Sequence, residues 1–260
     1  MQQEAVWTIF NYKQLPDRSP LHKNPMILCK FAEKIFRVML IVLEGLDGAG
    51  KSTQVKMLKD YIEKSGKELR YIHFPRFDTP VYGEMIAGFL RGDYGKIESV
   101  HPQIVALLFA EDRRVASGRI KEWLNNGDTV LLDRYVYSNI AYQCAKIADD
   151  AEREQLRDWI FNTEYNINAI PRPDVNIFLD VPVSFVDKKL KENRDGDDRA
   201  YLKGKEDIHE ADIEFQMRVR DIYIKEVKQD TDFKRVDCSD CNGNMLPANE
   251  IFSRITALFI

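Results

Sequence analysis

Gly45-Leu46-Asp47-Gly48-Ala49-Gly50-Lys51-Ser52 fits G-x-x-x-x-G-K-[ST], the pattern of a phosphate-binding loop. Its flanks supply the context that the pattern needs. Val38-Met39-Leu40-Ile41-Val42-Leu43 is a short continuous apolar run, as a buried parallel strand should be. Thr53 to Ser65 reads as a helix with Val55, Leu58, Tyr61 and Ile62 on one face and Gly66 as its stop. The glycines let backbone N–H groups converge on phosphate oxygens, and the helix N-terminus adds partial positive charge. Lys51 supplies a mobile cation, and the Ser52 hydroxyl suits Mg²⁺.

Downstream, strands alternate with helices. Leu69–Phe74, Thr129–Leu132, Asp174–Val181 and Phe233–Cys238 read as further strands. Val81–Leu90, Pro102–Leu124, Tyr137–Ala148, Ala151–Tyr165, Ser184–Glu192, Asp212–Lys228 and Ala248–Leu258 read as helices. This order predicts an α/β fold: a P-loop NTPase-type three-layer α/β/α sandwich on a five-stranded parallel sheet. Arg194 to Asp207 is charged, contains Gly196 and Gly204 and lacks periodicity, so a mobile lid is expected over about 194–208. Residues 1–37, interrupted by Pro16, Pro20 and Pro25, are expected to form a poorly ordered N-terminal extension outside a catalytic domain of residues 38–260. A signal peptide fits poorly, because Glu44 closes the apolar run and no small-residue cleavage site follows.

Composition narrows the partners. A formal net charge of −4 provides no basic field for nucleic acid. No apolar run approaches the ~20 residues of a membrane span. Four cysteines, Cys29, Cys144, Cys238 and Cys241, suit a reducing cytoplasm. The lone Cys238-Ser239-Asp240-Cys241 has no second Cys/His pair near it to hold zinc.

In such folds ligands sit at the carboxyl ends of the strands. Strand two leads into Phe74-Pro75-Arg76 and strand three into Asp133-Arg134-Tyr135. Asp133 reads either as a Mg²⁺ partner or as a helix N-cap. Arg76, Arg113, Arg134, Arg194 and Arg199 all fall where the fold would direct them toward the cleft. A switch GTPase needs N-K-x-D, which the chain lacks. A kinase acting on a phosphate acceptor brings two polyanions together and must neutralise their repulsion. It needs no general base, because an acceptor phosphate with a second pKa of about 6 is already anionic. A kinase acting on a hydroxyl would want a carboxylate instead, and strand two is followed by Arg76.

The run Glu44 to Gln54 resembles the opening of thymidylate kinases (dTMP kinases). So do Phe74-Pro75-Arg76, Leu108-Phe109-Ala110-Glu111-Asp112-Arg113, Asp133 to Gln143 and Pro171-Arg172-Pro173-Asp174. The resemblance implies transfer of the γ-phosphoryl group of ATP to dTMP, with Mg²⁺, in an enzyme that is usually a homodimer. It implies that Gly45, Leu46, Asp47, Gly48, Ala49, Gly50, Lys51, Ser52 and Thr53 hold ATP, and that Ser52 and Asp133 hold the metal. By the same resemblance Arg76 and Arg134 would grip the dTMP phosphate, beside Phe74. Phe109 would stack on thymine, and Arg113 would hydrogen-bond the base. Asp47 would contact the 3′-hydroxyl, while Asn139 and Tyr142 would close the base and sugar pocket. Phe109 also reads as core, Tyr142 as a packed helix tyrosine and Arg113 as part of a solvated face. Gly48 stands where one subgroup carries an arginine, so a lid cation is needed, and Arg199 is preferred to Arg194. Lys51, Arg134, Arg199 and Asp133 are the expected catalytic residues. A deoxynucleoside kinase and a non-catalytic ATP-binding regulator are the competing readings.

Overall fold

The computed structural model describes residues 39–191, 197–203, 207, 209 and 213–259, without the side chains of residues 98 and 197–199. The expected extension, residues 1–37, and Arg194 lie outside the described residues.

Five parallel strands form one sheet in the order β2-β3-β1-β4-β5: β1 is Leu40–Gly45, β2 Leu69–His73, β3 Thr129–Asp133, β4 Val175–Asp180 and β5 Phe233–Asp237. The central strands β1, β3 and β4 are buried at every residue, which is why each is mostly apolar, with Glu44, Asp133, Asn176 and Asp180 among the buried polar exceptions. The edge strands β2 and β5 are only partly buried. Register aligns Leu43 of β1 with Asp133 of β3, so the glycine loop and the Asp133-Arg134 pair emerge side by side.

The helices are α1 Lys51–Lys64, α2 Tyr82–Leu90, α3 Pro102–Asn125, α4 Val136–Cys144, α5 Asp150–Phe161, α6 Val183–Lys191, α7 Ile213–Gln229 and α8 Ala248–Thr256. α1 buries Val55, Leu58 and Ile62, and Gly66 at φ 78° follows its end. Two departures from the sequence reading matter for the site. The helix expected over Ala151–Tyr165 gives way at Asn162 to a π-helical turn, Asn162–Ile167. The segment expected as an aperiodic loop contains a 3₁₀ turn, Asp197–Leu202. Tyr201 in that turn stacks on Phe77 at 3.7 Å, and Arg91 Nη1 donates to the Tyr201 carbonyl at 2.7 Å. Aromatic packing, which has no local sequence period, supplies the order there.

Candidate active site

The loop enters α1 through Gly50, whose φ of 77° is left-handed, and no side chain caps the helix. Its first N–H groups are therefore available to an anion. Lys51 Nζ donates to the Leu46 carbonyl at 2.9 Å and the Gly45 carbonyl at 3.3 Å. Burial, aided by Arg134, lowers its pKa to about 8, against the opposing pull of Asp133, Asp47 and Glu44.

Arg134 leaves β3 in the left-handed region, at φ 68°. That conformation costs about 1–2 kcal/mol for a residue with a Cβ, and such strain gathers at functional sites. It is secured by the Arg134 N–H, which donates to the Leu43 carbonyl at 2.8 Å. Nη2 reaches Asp47 Oδ1 at 2.6 Å and the Tyr142 hydroxyl at 3.2 Å, while Nη1 reaches Ser138 Oγ at 3.1 Å. Tyr142 in turn donates to Asp47 Oδ2 at 2.6 Å. Gln216 Nε2, from α7, donates to the same oxygen at 3.1 Å and to the His209 carbonyl at 2.8 Å. Burial alone would raise the Asp47 pKa, but Arg134 and Lys51 outweigh it and hold the carboxyl well below its usual range.

The two readings of Asp133 separate here. α4 begins at Val136, too far along for Asp133 to cap it. Glu44 does that task from β1: its Oε1 accepts from the N–H groups of Tyr135 at 2.9 Å and Ser138 at 3.2 Å. Its Oε2 accepts from the hydroxyls of Ser138 and Tyr223. Burial dominates these contacts and raises the Glu44 pKa. Asp133 Oδ2 lies 3.2 Å from His73 Nδ1, whereas Oδ1 is buried with no hydrogen-bond partner among the described residues. Burial opposes ionisation of Asp133, but His73 and Lys51 prevail and its pKa is lowered. An ionised carboxylate with an unpaired oxygen, together with the exposed hydroxyl-bearing Ser52 at the start of α1, fits a hard cation such as Mg²⁺.

Three of the arginines expected near the cleft each have a carboxylate partner, which the sequence reading did not foresee. Arg134 is paired with Asp47, Arg76 with Asp112 and Arg113 with Glu164. An unpaired buried charge is costly, so the fold brings a carboxylate to each. Arg76 is gripped most fully: Nε donates to Asp112 Oδ1 at 2.9 Å, its backbone N–H to Oδ2 at 2.9 Å, and Nη2 to the Asp112 carbonyl at 2.7 Å. Phe74 is buried beneath it, with the Arg76 guanidinium 5.8 Å from the ring centre, and the Phe74–Pro75 peptide is cis. Arg113 is not on a solvated face: its side chain is 2% exposed and bidentate to Glu164, at 2.5 and 2.7 Å. Asn139 Nδ2 donates to the Ala106 carbonyl at 3.0 Å and to Glu164 Oε1 at 2.9 Å. Phe109 is half-buried and packs on the cluster of Ile86, Phe89, Leu90 and Val105. Arg199 sits in the 3₁₀ turn, and its side chain lies outside the described residues.

Sequence reasoning missed Glu44, Asp112, Glu164 and Gln216 as parts of this arrangement. Each meets at least one partner 36 or more positions away, so no local pattern announces it. Cys238 and Cys144 are buried thiols and Cys241 is exposed; all three are free, and none lines this site. No helix among the described residues is long and apolar enough to cross a membrane.

Comparison with known proteins gives the same direction. The family model described as Thymidylate kinase matches residues 43–244. The thymidylate kinase of Mycobacterium tuberculosis is 32% identical over 188 residues, covering 72% of this chain and 85% of that protein. That of Plasmodium falciparum is 29% identical over 203 residues, covering 75% and 90%. A solved structure of the Candida albicans thymidylate kinase superposes with a TM-score of 0.63 at 26% identity, covering 85% of this chain and 91% of that one. The chain resembles these enzymes along most of its length, and it belongs to the thymidylate kinase family.

Proposed function

We propose that this chain transfers the γ-phosphoryl group of ATP to dTMP, giving ADP and dTDP. The observation that carries the reading is the junction at Asp47. A carboxylate belonging to the phosphate loop is held at once by Arg134, Tyr142 and Gln216. On this reading the donor loop and the acceptor pocket share a residue, which supports two nucleotides lying end to end. Lys51 and the N–H groups of Gly45 to Thr53 bind the ATP phosphates. Arg76 and Arg134 bind the dTMP phosphate, with Phe74 supporting Arg76 from below. Phe109 stacks on the base, Arg113 and Asn139 contact its edge, and Asp47 with Tyr142 faces the sugar. Arg199 neutralises charge from the lid of about 194–208. Ser52 and Asp133 hold Mg²⁺, which when bound offsets phosphate charge. Catalysis rests on positioning and charge neutralisation, and the acceptor phosphate attacks without a general base.

We assign the catalytic domain to residues 38–260, with residues 1–37 as an extension that is not part of the catalytic core, and the compartment to the cytoplasm. We also infer a homodimer. Ile104, Leu107 and Val115 are exposed on one face of α3, whereas α4 is buried throughout and offers no apolar surface. The subunit contact therefore falls to α3.

ADP release with Mg·ATP is expected with dTMP and not with thymidine or without acceptor. Turnover with thymidine alone selects a nucleoside kinase. ATP binding without any turnover selects a regulator. A second expectation concerns pH. With a Lys51 pKa of about 8 in the free enzyme, kcat/KM for ATP should fall as pH rises through that value. kcat should hold to higher pH, because bound phosphate favours the ammonium form. In Lys51→Arg, whose guanidinium stays charged, the limb should disappear. If it persists there, Lys51 is not the titrating group.

A further inference from the structure

Glu164 is buried completely and touches two of the residues expected to face the base. We propose that it is a positioning residue that sets the base specificity of the acceptor pocket by locking Arg113 and Asn139 into a fixed donor–acceptor pair. The proposal rests on the dTMP reading above and deepens it.

The argument is one of counting hydrogen bonds. Glu164 Oε2 accepts from Arg113 Nε, and Oε1 accepts from both Arg113 Nη2 and Asn139 Nδ2. The asparagine amide has two donor hydrogens. Both are spent, one on Glu164 and one on the Ala106 carbonyl. Its Oδ1 is left over: Asn139 is 2% exposed, and this oxygen has no partner among the described residues. Arg113 likewise commits Nε and Nη2, while Nη1 makes no hydrogen bond among the described residues. The two partners of one carboxylate thus keep one acceptor and one donor in reserve. Thymine presents the complement, an N3–H donor beside the O4 acceptor. Cytosine presents the reverse, an N3 acceptor beside an N4 amino donor.

Glu164 and the Ala106 carbonyl together fix which end of the Asn139 amide turns toward them. If the amide turned over, Oδ1 would meet the Glu164 carboxylate and the Ala106 carbonyl, acceptor against acceptor. A buried ion pair is weak evidence for a stabilising role, so the Arg113–Glu164 pair is not explained by stability alone. The π-helical turn Asn162–Ile167 carries Glu164. It is tied down by Asn168 N–H to the Thr163 carbonyl at 2.8 Å and Ile170 N–H to the Glu164 carbonyl at 3.1 Å. Such turns are often found at functional sites.

The test is Glu164→Gln, assayed with dTMP and dCMP at saturating ATP. A glutamine amide can donate to Asn139 Oδ1, which removes one of the two acceptor clashes opposing a turned asparagine. The Ala106 carbonyl keeps the other, so the form that offers Nδ2 to cytosine N3 gains population without taking over. It also sets a donor against Arg113. We expect kcat/KM for dTMP to fall about thirtyfold, mainly through KM, and the dTMP:dCMP ratio to fall about tenfold or more. KM for ATP should stay unchanged. A merely structural role would lower both acceptors together and leave the ratio intact. Should that variant fail to fold, Glu164→Asp keeps the charge beside Arg113 but falls about 1.5 Å short of Asn139. Its ratio should drop about threefold or more. A folded variant whose dTMP:dCMP ratio matches the wild type overturns the proposal. A wild-type protein that leaves dTMP untouched removes the functional reading as well. A wild type that turns dTMP over with a ratio indifferent to residue 164 removes this inference alone.

Discussion

Arg134→Ala is expected to lower kcat/KM for dTMP about a thousandfold, or about 4 kcal/mol of transition-state stabilisation. Two effects combine. The variant loses the guanidinium that we assign to the phosphate of dTMP. It also strips Asp47 of its nearest cation, the 2.6 Å partner on Nη2. That carboxylate, held ionised by Arg134 and Lys51, would then stand as an uncompensated negative charge at the mouth of the phosphate loop. Two phosphates approaching it would be repelled, and repulsion in a partly buried site is weakly screened. Arg134→Lys should recover only part of the loss, because an ammonium cannot serve Asp47, Tyr142 and Ser138 together as the planar fork does. Steady-state kinetics with each nucleotide varied in turn would check this. Retention of activity within tenfold of the wild type in Arg134→Ala would take Arg134 out of the reaction.

The second large effect belongs to Arg76, and here stability and catalysis should come apart. Arg76→Ala is expected to reduce kcat/KM for dTMP about a hundred- to a thousandfold, by leaving a phosphate charge unpaired. It should also destabilise the fold. The Asp112 side chain is 1% exposed and loses Nε and Nη2 as partners, keeping the backbone N–H of residue 76. A fully buried pair broken this way costs about 3–5 kcal/mol, and with Arg76 partly exposed about 2 kcal/mol is the reasonable expectation. For a domain of this size that corresponds to a Tm lower by about 4–8 °C. Adding Asp112→Asn removes the stranded charge. The double variant should regain more than half of the lost Tm and none of the lost activity. Recovery of activity alongside Tm would mean that Arg76 acts by supporting Asp112 and not by meeting substrate.

Much of the architecture is legible in one dimension, for a simple reason. A parallel strand buried on both faces is apolar along most of its length, so Leu40–Leu43, Val130–Leu132 and Ile177–Leu179 announce themselves. The glycine loop is equally visible, since the left-handed backbone at Gly50 favours glycine and its function demands Lys51. The strand ends then place Asp133 and Arg134 beside that loop by register alone. The π-helical turn after Phe161 and the aromatic docking of Tyr201 left no such trace. One interrupts a helical period without changing its composition, and the other depends on Phe77, distant along the chain.

The amino-acid sequence by itself determined the parallel sheet, the phosphate loop and the family. These follow from local backbone demands and from periodic burial, which are written residue by residue. Only the tertiary structure decided what each charge is paired with. Whether Arg113 faces water or Glu164, whether Asp133 or Glu44 caps α4, and which end of the Asn139 amide looks inward are set by neighbours brought together from dozens of positions away. Electrostatic energy inside a protein depends on distances through space, and distance along the chain carries almost none of that information.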